Sequence, residues 1–450
     1  MTDSPTLAPA PRLHHMDALP VGSRLGEFEI QALLGVGGFG MVYQAFDHSL
    51  RRAVAIKEYM PCALAGRSDG QSLWVRTSGD TPTFQAGLAS FVKEAQLLAQ
   101  FDHPSLVKVF RIWEANNTAY MVMPLYVGMT LKQARAQMRQ PPSEAWLRKL
   151  LWSVLDALRV LHDAKTLHRD ISPDNIFLQD NGPPVLLDLG AARHAISDAE
   201  HQHTAVLKVN YAPIEQYAAE DGVADVQPGD GPPLHQGPWS DLYSLGAVVY
   251  GCVCNDTPLP ATLRAIRDRM VRFRRVAKTV KRQFGVEYSP EFVHAISETL
   301  HLRPAARPQS IDEFLALMDM LVAPDGGQPF QWREALEGPA VGGEAAACLD
   351  LSEDDATPTR FMEPVGEHLA VDLDLGAPLE APAVAAPPPS DGGKPPSAAP
   401  AGAAALVVPA GGAGGAPGPG AAPKSAAHPA RKAQGGTPHR ETPGVRGRRS

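Results

Sequence analysis

The run His168-Arg169-Asp170-Ile171-Ser172-Pro173-Asp174-Asn175, followed after one short hairpin by Asp188-Leu189-Gly190, restricts the fold of this chain more than any other feature. It gathers a carboxylate that can accept a proton and two further oxygen-bearing side chains, Asn175 and Asp188, of the kind that hold a hard cation. Such a set works only if a loop and the hairpin after it line one cleft. Upstream, Gly35-Val36-Gly37-Gly38-Phe39-Gly40-Met41-Val42 is a glycine cluster of the type that lets backbone approach a phosphate. Alone it is weak, because dinucleotide-binding turns use the same glycines. Val42 just after the last glycine, and the apolar strand Val54-Ala55-Ile56-Lys57 ending in a cation, narrow the choice.

The spacing of apolar residues divides the chain. From Phe28 to Ile56 two β-rich runs flank the glycines, and Thr118 to Met123 forms a third after a helical stretch from Ser90 to Phe101. Residues 22–127 thus predict a small β-rich lobe with one main helix. Residues 61–86, which contain Gly66, Gly70, Gly79 and Pro82, read as an inserted loop or hairpin. Past Gly128 the period becomes helical: Leu147, Leu151, Val154, Leu155, Leu158 and Leu161 share a face, with Ser143 placed to cap it. Ser310 and Glu313 announce a last helix by their capping-box spacing. Residues 128–325 predict a larger, mainly α lobe with a second insert over about 218–238. The fold class is α+β. Residues 1–21 read as a flexible lead and 326–450 as a disordered tail, because no Phe, Tyr or Trp follows Phe361 and little apolar surface is left to offset ordering entropy.

These motifs, in this order across residues 22 to 322, resemble those of a eukaryotic-like Ser/Thr protein kinase of bacterial type, a bilobal fold. The resemblance implies that Leu34, Gly35, Val36, Gly37, Gly38, Phe39, Gly40, Val42, Ala55 and Lys57 surround ATP. It places Met123 at the gatekeeper position and Pro124, Leu125, Tyr126 and Val127 in the hinge against adenine. Lys57 calls for a counter-charge, and Glu94, on a helix whose apolar face holds Phe91, Ala95 and Leu98, fits. Asp170 is implied as the group that accepts or orients the substrate hydroxyl's proton, with Asn175 and Asp188 on Mg2+ bridging the phosphates. Glu215 is expected to pair with Arg307 inside the large lobe, and Asp241 to brace the catalytic loop. Arg169 resembles the arginine of kinases controlled by an activation-loop phosphate, with Ser197 and Thr204 as available acceptors and Thr357, Thr359, Thr437 and Thr442 as others in the tail. Leu189 stands where Phe is usual. Tyrosine kinases carry a catalytic-loop Arg that positions 171 to 174 lack.

One departure stands out. Such kinases have a Lys two residues after the catalytic Asp, where this chain has Ser172, while Lys208 occupies the position of the Thr that would face it. The reading is a swapped pair, with Lys208 reaching across to bond Ser172 and place its ammonium near the migrating phosphate. A solvent-facing Lys208 is the plain alternative. A nucleotide-binding pseudokinase scaffold with a partner-recruiting tail is the rival function. Only Ser172 favours it, since Lys57, Asp170, Asn175 and Asp188 are all present.

Composition limits the partners. A net charge of −8 argues against nucleic acid, and the longest apolar stretch, Leu245 to Cys254, is far short of the roughly 20 residues that span a bilayer. The expected partners are ATP and protein substrates, with room for self-association in autophosphorylation, in the cytoplasm. The four cysteines are too few and scattered for a disulfide framework.

Overall fold

The β-branched and aromatic runs on either side of the glycines pair into one antiparallel sheet. Its strands are β1 (Arg24–Leu25), β2 (Phe28–Gly37), β3 (Gly40–Asp47), β4 (Arg52–Tyr59), β7 (Arg111–Ala115) and β8 (Thr118–Pro124), in the order β1-β2-β3-β4-β8-β7. A computed structural model describes residues 14–68, 70–190, 208–218, 234–324, 330–336 and 349. All of these lie within one unit, Met1–Glu363, and the second unit, Pro364–Ser450, is outside the described residues. So are Ser197, Thr204, most of the insert over 218–238, and the tail threonines.

The first insert is a hairpin, β5 (Ala65–Arg67) against β6 (Leu73–Val75), and the helix after it starts earlier than its sequence spacing suggests. Helix α1 spans Thr81–Leu98 rather than Ser90–Phe101. The glycine and proline that mark a turn are accommodated by it: Pro82 falls in the first turn, where a missing N–H costs nothing, and Gly87 is buried. Phe84, Leu88, Phe91, Ala95 and Leu98 give it one buried face, and Tyr59 Oη donates to the Phe84 carbonyl (3.0 Å).

Below the sheet the chain is helical: α2 (Leu131–Gln137), α3 (Glu144–Asp163), α4 (Ile214–Ala218), α5 (Pro238–Cys254), α6 (Ala261–Ile266), α7 (Phe273–Phe284), α8 (Pro290–Thr299) and α9 (Ile311–Leu317). Ser143 Oγ accepts from Trp146 N at the start of α3, and Ser310 Oγ accepts from Glu313 N at the start of α9. Helix α5 is buried from Ser240 to Cys254, with Cys252 and Cys254 as free thiols in the core. Three short strands, β9 (Gly128–Thr130), β10 (Ile176–Gln179) and β11 (Val185–Leu186), form a second antiparallel sheet between the lobes. Gly128 is required there: φ is +151°, and a β-carbon would overlap the Leu178 carbonyl. Val107 N donates to Leu186 O, and Leu186 N to Ser105 O, tying the chain after α1 to β11.

Both expected outer boundaries fall short of the packed unit. Within the lead, Leu19 is buried and its N–H donates to Tyr43 Oη (3.2 Å). Asp17 Oδ1 accepts from Arg67 N (2.8 Å), and Arg67 forms a buried ion pair with Glu58 (2.6 Å, 2% and 0% exposed) that Tyr43 Oη also joins (2.9 Å). Burial pushes the Glu58 carboxyl up, and Arg67 opposes it. At the other end, the Phe330 ring packs 5.1 Å from that of Trp146, whose Nε1 donates to Trp332 O, and Arg333 pairs with Asp180 (2.9 Å). Packed residues are therefore found beyond residue 325, with Phe330, Trp332 and Leu349 buried in the core. Two aromatics in an otherwise polar, small-residue stretch are enough to anchor it.

Candidate active site

In an antiparallel sheet, directly paired residues and residues two apart on a strand share a face. Val42 pairs with Lys57, and Ala55 with Met123, so these four line one side of the small lobe's sheet. Met41, Tyr43 and Ile56 are buried on the other. Gly37 and Gly40 close the β2–β3 turn, with Leu34, Val36, Gly37 and Gly38 exposed and Phe39 half-buried. Gly40 is the one that must lack a side chain, since a β-carbon would overlap the Glu58 carbonyl oxygen. Pro124 ends β8, Leu125 and Tyr126 follow it, and all three are half-buried.

Lys57 is the link to the lower lobe. Its Nζ lies 2.7 Å from Asp188 Oδ1 and 5.7 Å from the centre of the Phe91 ring. Glu94, one helical turn beyond Phe91 on α1, is buried. A counter-charge at bonding distance from Lys57 is that of Asp188, which comes from the chain leaving β11 with a φ of +34°.

The loop from His168 to Asn175 is held from beneath by one buried carboxylate. Asp241 accepts from His168 N and Arg169 N (both 2.9 Å) and bonds His162 Nε2 (2.8 Å). Burial alone would raise the Asp241 carboxyl, but these bonds and the neighbouring imidazoles hold it below the usual carboxylate range. Burial likewise holds the His168 ring below its usual value, against the pull of Asp241 and Asp170. Its Nε2 bonds the Leu187 carbonyl (2.8 Å), which joins the loop to the segment carrying Asp188. Arg169 adopts a φ of +65°, and Gln216 Nε2 donates to its carbonyl (3.1 Å).

Within the loop, Asn175 Nδ2 donates to Asp170 Oδ2 (2.6 Å) and to Asp170 O (2.8 Å). With its amide hydrogens committed, Asn175 turns its oxygen the other way. Lys208 Nζ lies on that side, 3.3 Å from Asn175 Oδ1, 2.6 Å from Ser172 Oγ and 3.6 Å from Asp174 Oδ2. Asn175 and Asp188 offer oxygen donors only, the set a magnesium ion prefers. No group of three or more His, Cys, Asp or Glu that could hold a metal occurs among the described residues.

Glu215 on α4 and Arg307 form a bidentate pair (2.6 and 3.1 Å) with neither side chain exposed. Ser240 Oγ donates to Glu215 (2.7 Å), and the guanidinium stacks 4.6 Å from the Tyr243 ring. Ser240, His162 and Gln216 were not singled out by sequence reading. Ser240 is legible only as the neighbour of Asp241, and His162 as the last-turn partner facing it.

Residues 28–317 match the family pattern described as the protein kinase domain. The chain is 31% identical over 335 residues to a probable serine/threonine-protein kinase of Streptomyces coelicolor, covering 71% of this chain and 43% of that one. It is 30% identical over 242 residues to the serine/threonine-protein kinase PrkC of Bacillus subtilis, covering 53% and 32%. The chain thus spans less than half the length of these curated relatives. Among solved structures, one titled PpkA-294 apo form is 44% identical, with a TM-score of 0.59, over 67% of this chain and 99% of that one.

Proposed function

Since the chain belongs to the protein kinase family, we propose that it transfers the γ-phosphoryl group of ATP to serine and threonine hydroxyls of proteins. The observation that carries this reading is the junction of the lobes, where Lys57 meets Asp188 at 2.7 Å, the preceding Leu187 N donates to Asn175 O (2.8 Å), and Asn175 Nδ2 in turn bonds Asp170. A cation from the sheet, two oxygen donors from the helical lobe and a fixed carboxylate then converge on one place.

In this reading the sheet face made by Val42, Ala55 and Met123 covers the adenine, and Leu125 and Tyr126 present backbone groups to it. The glycine turn lies over the phosphates, and Lys57 neutralises them. Asn175 and Asp188 would hold magnesium, which when bound offsets phosphate charge. Asp170 receives or orients the acceptor hydroxyl's proton, at a position set by the two bonds from Asn175. Glu94 keeps α1 and Lys57 in register. Phosphorylation of the protein by itself, through self-association, and action in the cytoplasm belong to the same proposal. No helix among the described residues is long and apolar enough to cross a membrane.

The full chain incubated with γ-labelled ATP, magnesium and a protein acceptor is expected to yield phosphoserine and phosphothreonine, with no label transferred once the divalent cation is chelated. Nucleotide binding without any transfer would replace this reading with that of a nucleotide-responsive scaffold.

A further inference from the structure

Phosphoryl transfer spreads negative charge over the equatorial oxygens of the migrating group, and proteins offset it with cations fixed in advance. Between Asp170 and Asn175 the catalytic loop carries Ile171, Ser172, Pro173 and Asp174, none of them cationic. Two ammonium groups from elsewhere in the chain lie beside this loop: Lys132 Nζ, largely exposed and 3.5 Å from Asp174 Oδ1, and Lys208 Nζ, 2.6 Å from the buried Ser172 hydroxyl and 3.3 Å from Asn175 Oδ1. A lysine serving only solubility extends its ammonium into water. The Lys208 side chain is 23% exposed and turned inward onto three oxygens.

Its backbone is as firmly placed as its head group. Tyr211 N and Ala212 N both donate to the Lys208 carbonyl (2.8 and 3.1 Å), closing a turn. Tyr217 Oη on α4 donates to Val209 O (3.3 Å), and the Tyr211 phenol lies against Gly251 of α5, where a β-carbon would stand 3.6 Å from it. The turn is thereby fastened to both helices that support the catalytic loop.

The geometry points to Lys208 as a catalytic residue delivered by this turn: its ammonium contacts the migrating phosphoryl group, Ser172 tethers it, and seating of residues 208–212 sets the rate of transfer without altering ATP binding. This rests on the kinase reading and adds a mode of control to it. Any event that lifts the turn withdraws charge from the reacting phosphate, while Lys57 and the glycine turn still hold the nucleotide.

The test is steady-state kinetics of the full chain with magnesium, ATP and a protein acceptor, together with fluorescent-nucleotide binding and a melting curve for each variant. Lys208→Ala is expected to lower kcat by about 10²-fold, as loss of one transition-state donor does, with the KM for ATP unchanged within about twofold. Ser172→Ala lowers kcat by about fivefold, the effect of one lost hydrogen bond. Combining Ser172→Lys with Lys208→Thr recovers most of the activity lost in Lys208→Ala, a rescue that a merely structural lysine would not give. Should Lys208→Ala melt early, Lys208→Met, which keeps the stem, replaces it in the comparison. The assignment is overturned if the folded Lys208 variants keep wild-type kcat, or if the swapped pair is no more active than Lys208→Ala. In either case an active wild type leaves the kinase reading intact. A wild-type chain that transfers no phosphate overturns that reading and this assignment together.

Discussion

Asp170→Ala is expected to lower phosphoryl transfer by about 10³-fold, inside the range that positioned acid–base groups supply, while nucleotide affinity stays within a few-fold of wild type. The cation that meets the nucleotide from the sheet is Lys57, which bonds Asp188 and does not rely on this carboxylate for its chemistry. What the substitution removes is the acceptor for the hydroxyl proton. It also removes the Oδ2 to which Asn175 donates, so the amide loses one of its two anchors and keeps the Asp170 carbonyl. Asp170→Asn separates these contributions, because it retains the shape and the chance of a hydrogen bond but not the basicity. Labelled-phosphate transfer measured beside fluorescent-nucleotide titration gives both quantities. An Asp170→Ala chain that retains most of its kcat would remove the carboxylate from the chemistry.

Arg307→Ala is expected to destabilise the folded unit by about 3–5 kcal/mol, the usual loss when one partner leaves a buried ion pair. The guanidinium has no exposed surface, holds both oxygens of Glu215, and also donates to the His301 and Leu302 carbonyls. Its removal leaves a buried carboxylate that still accepts from Ser240 and takes a donor away from two carbonyls. The midpoint of thermal or urea unfolding should fall accordingly, by several degrees or more in a unit of this size. Replacing both partners, Glu215→Leu with Arg307→Met, should be far less damaging than either single change, because no uncompensated charge is then buried. If Arg307→Ala melts within a degree of wild type, the pair contributes little to the fold.

The residues proposed to carry the chemistry were readable because their types and order in the sequence follow one pattern. The order glycine turn, Lys57, Asp170, Asn175, Asp188 needs no long-range information to suggest two lobes with a site between them. Contacts across long sequence separations were less accessible. That Lys57 lies on Asp188 is set by the bonds from Val107 and Ser105 to Leu186, which no local pattern announces. The early start of α1 was hidden because Gly79, Pro82 and Gly87 carry turn signals, and only the buried face from Phe84 onward overrides them. Phe330 and Trp332 were lost in an average over small and polar neighbours, although Trp146 gives each of them a partner. Local rules govern single elements, whereas these features depend on what tertiary packing places opposite them.

The family pattern begins at Phe28, yet the polar cluster behind the sheet draws in Asp17 and the Leu19 amide from upstream of it. Homology and mechanical integrity therefore demarcate different modules in this polypeptide. A piece cut at the homology border would keep every candidate site residue while depriving the Arg67 amide and the Tyr43 phenol of their upstream partners, so any shortened version of this chain is better started upstream of His14.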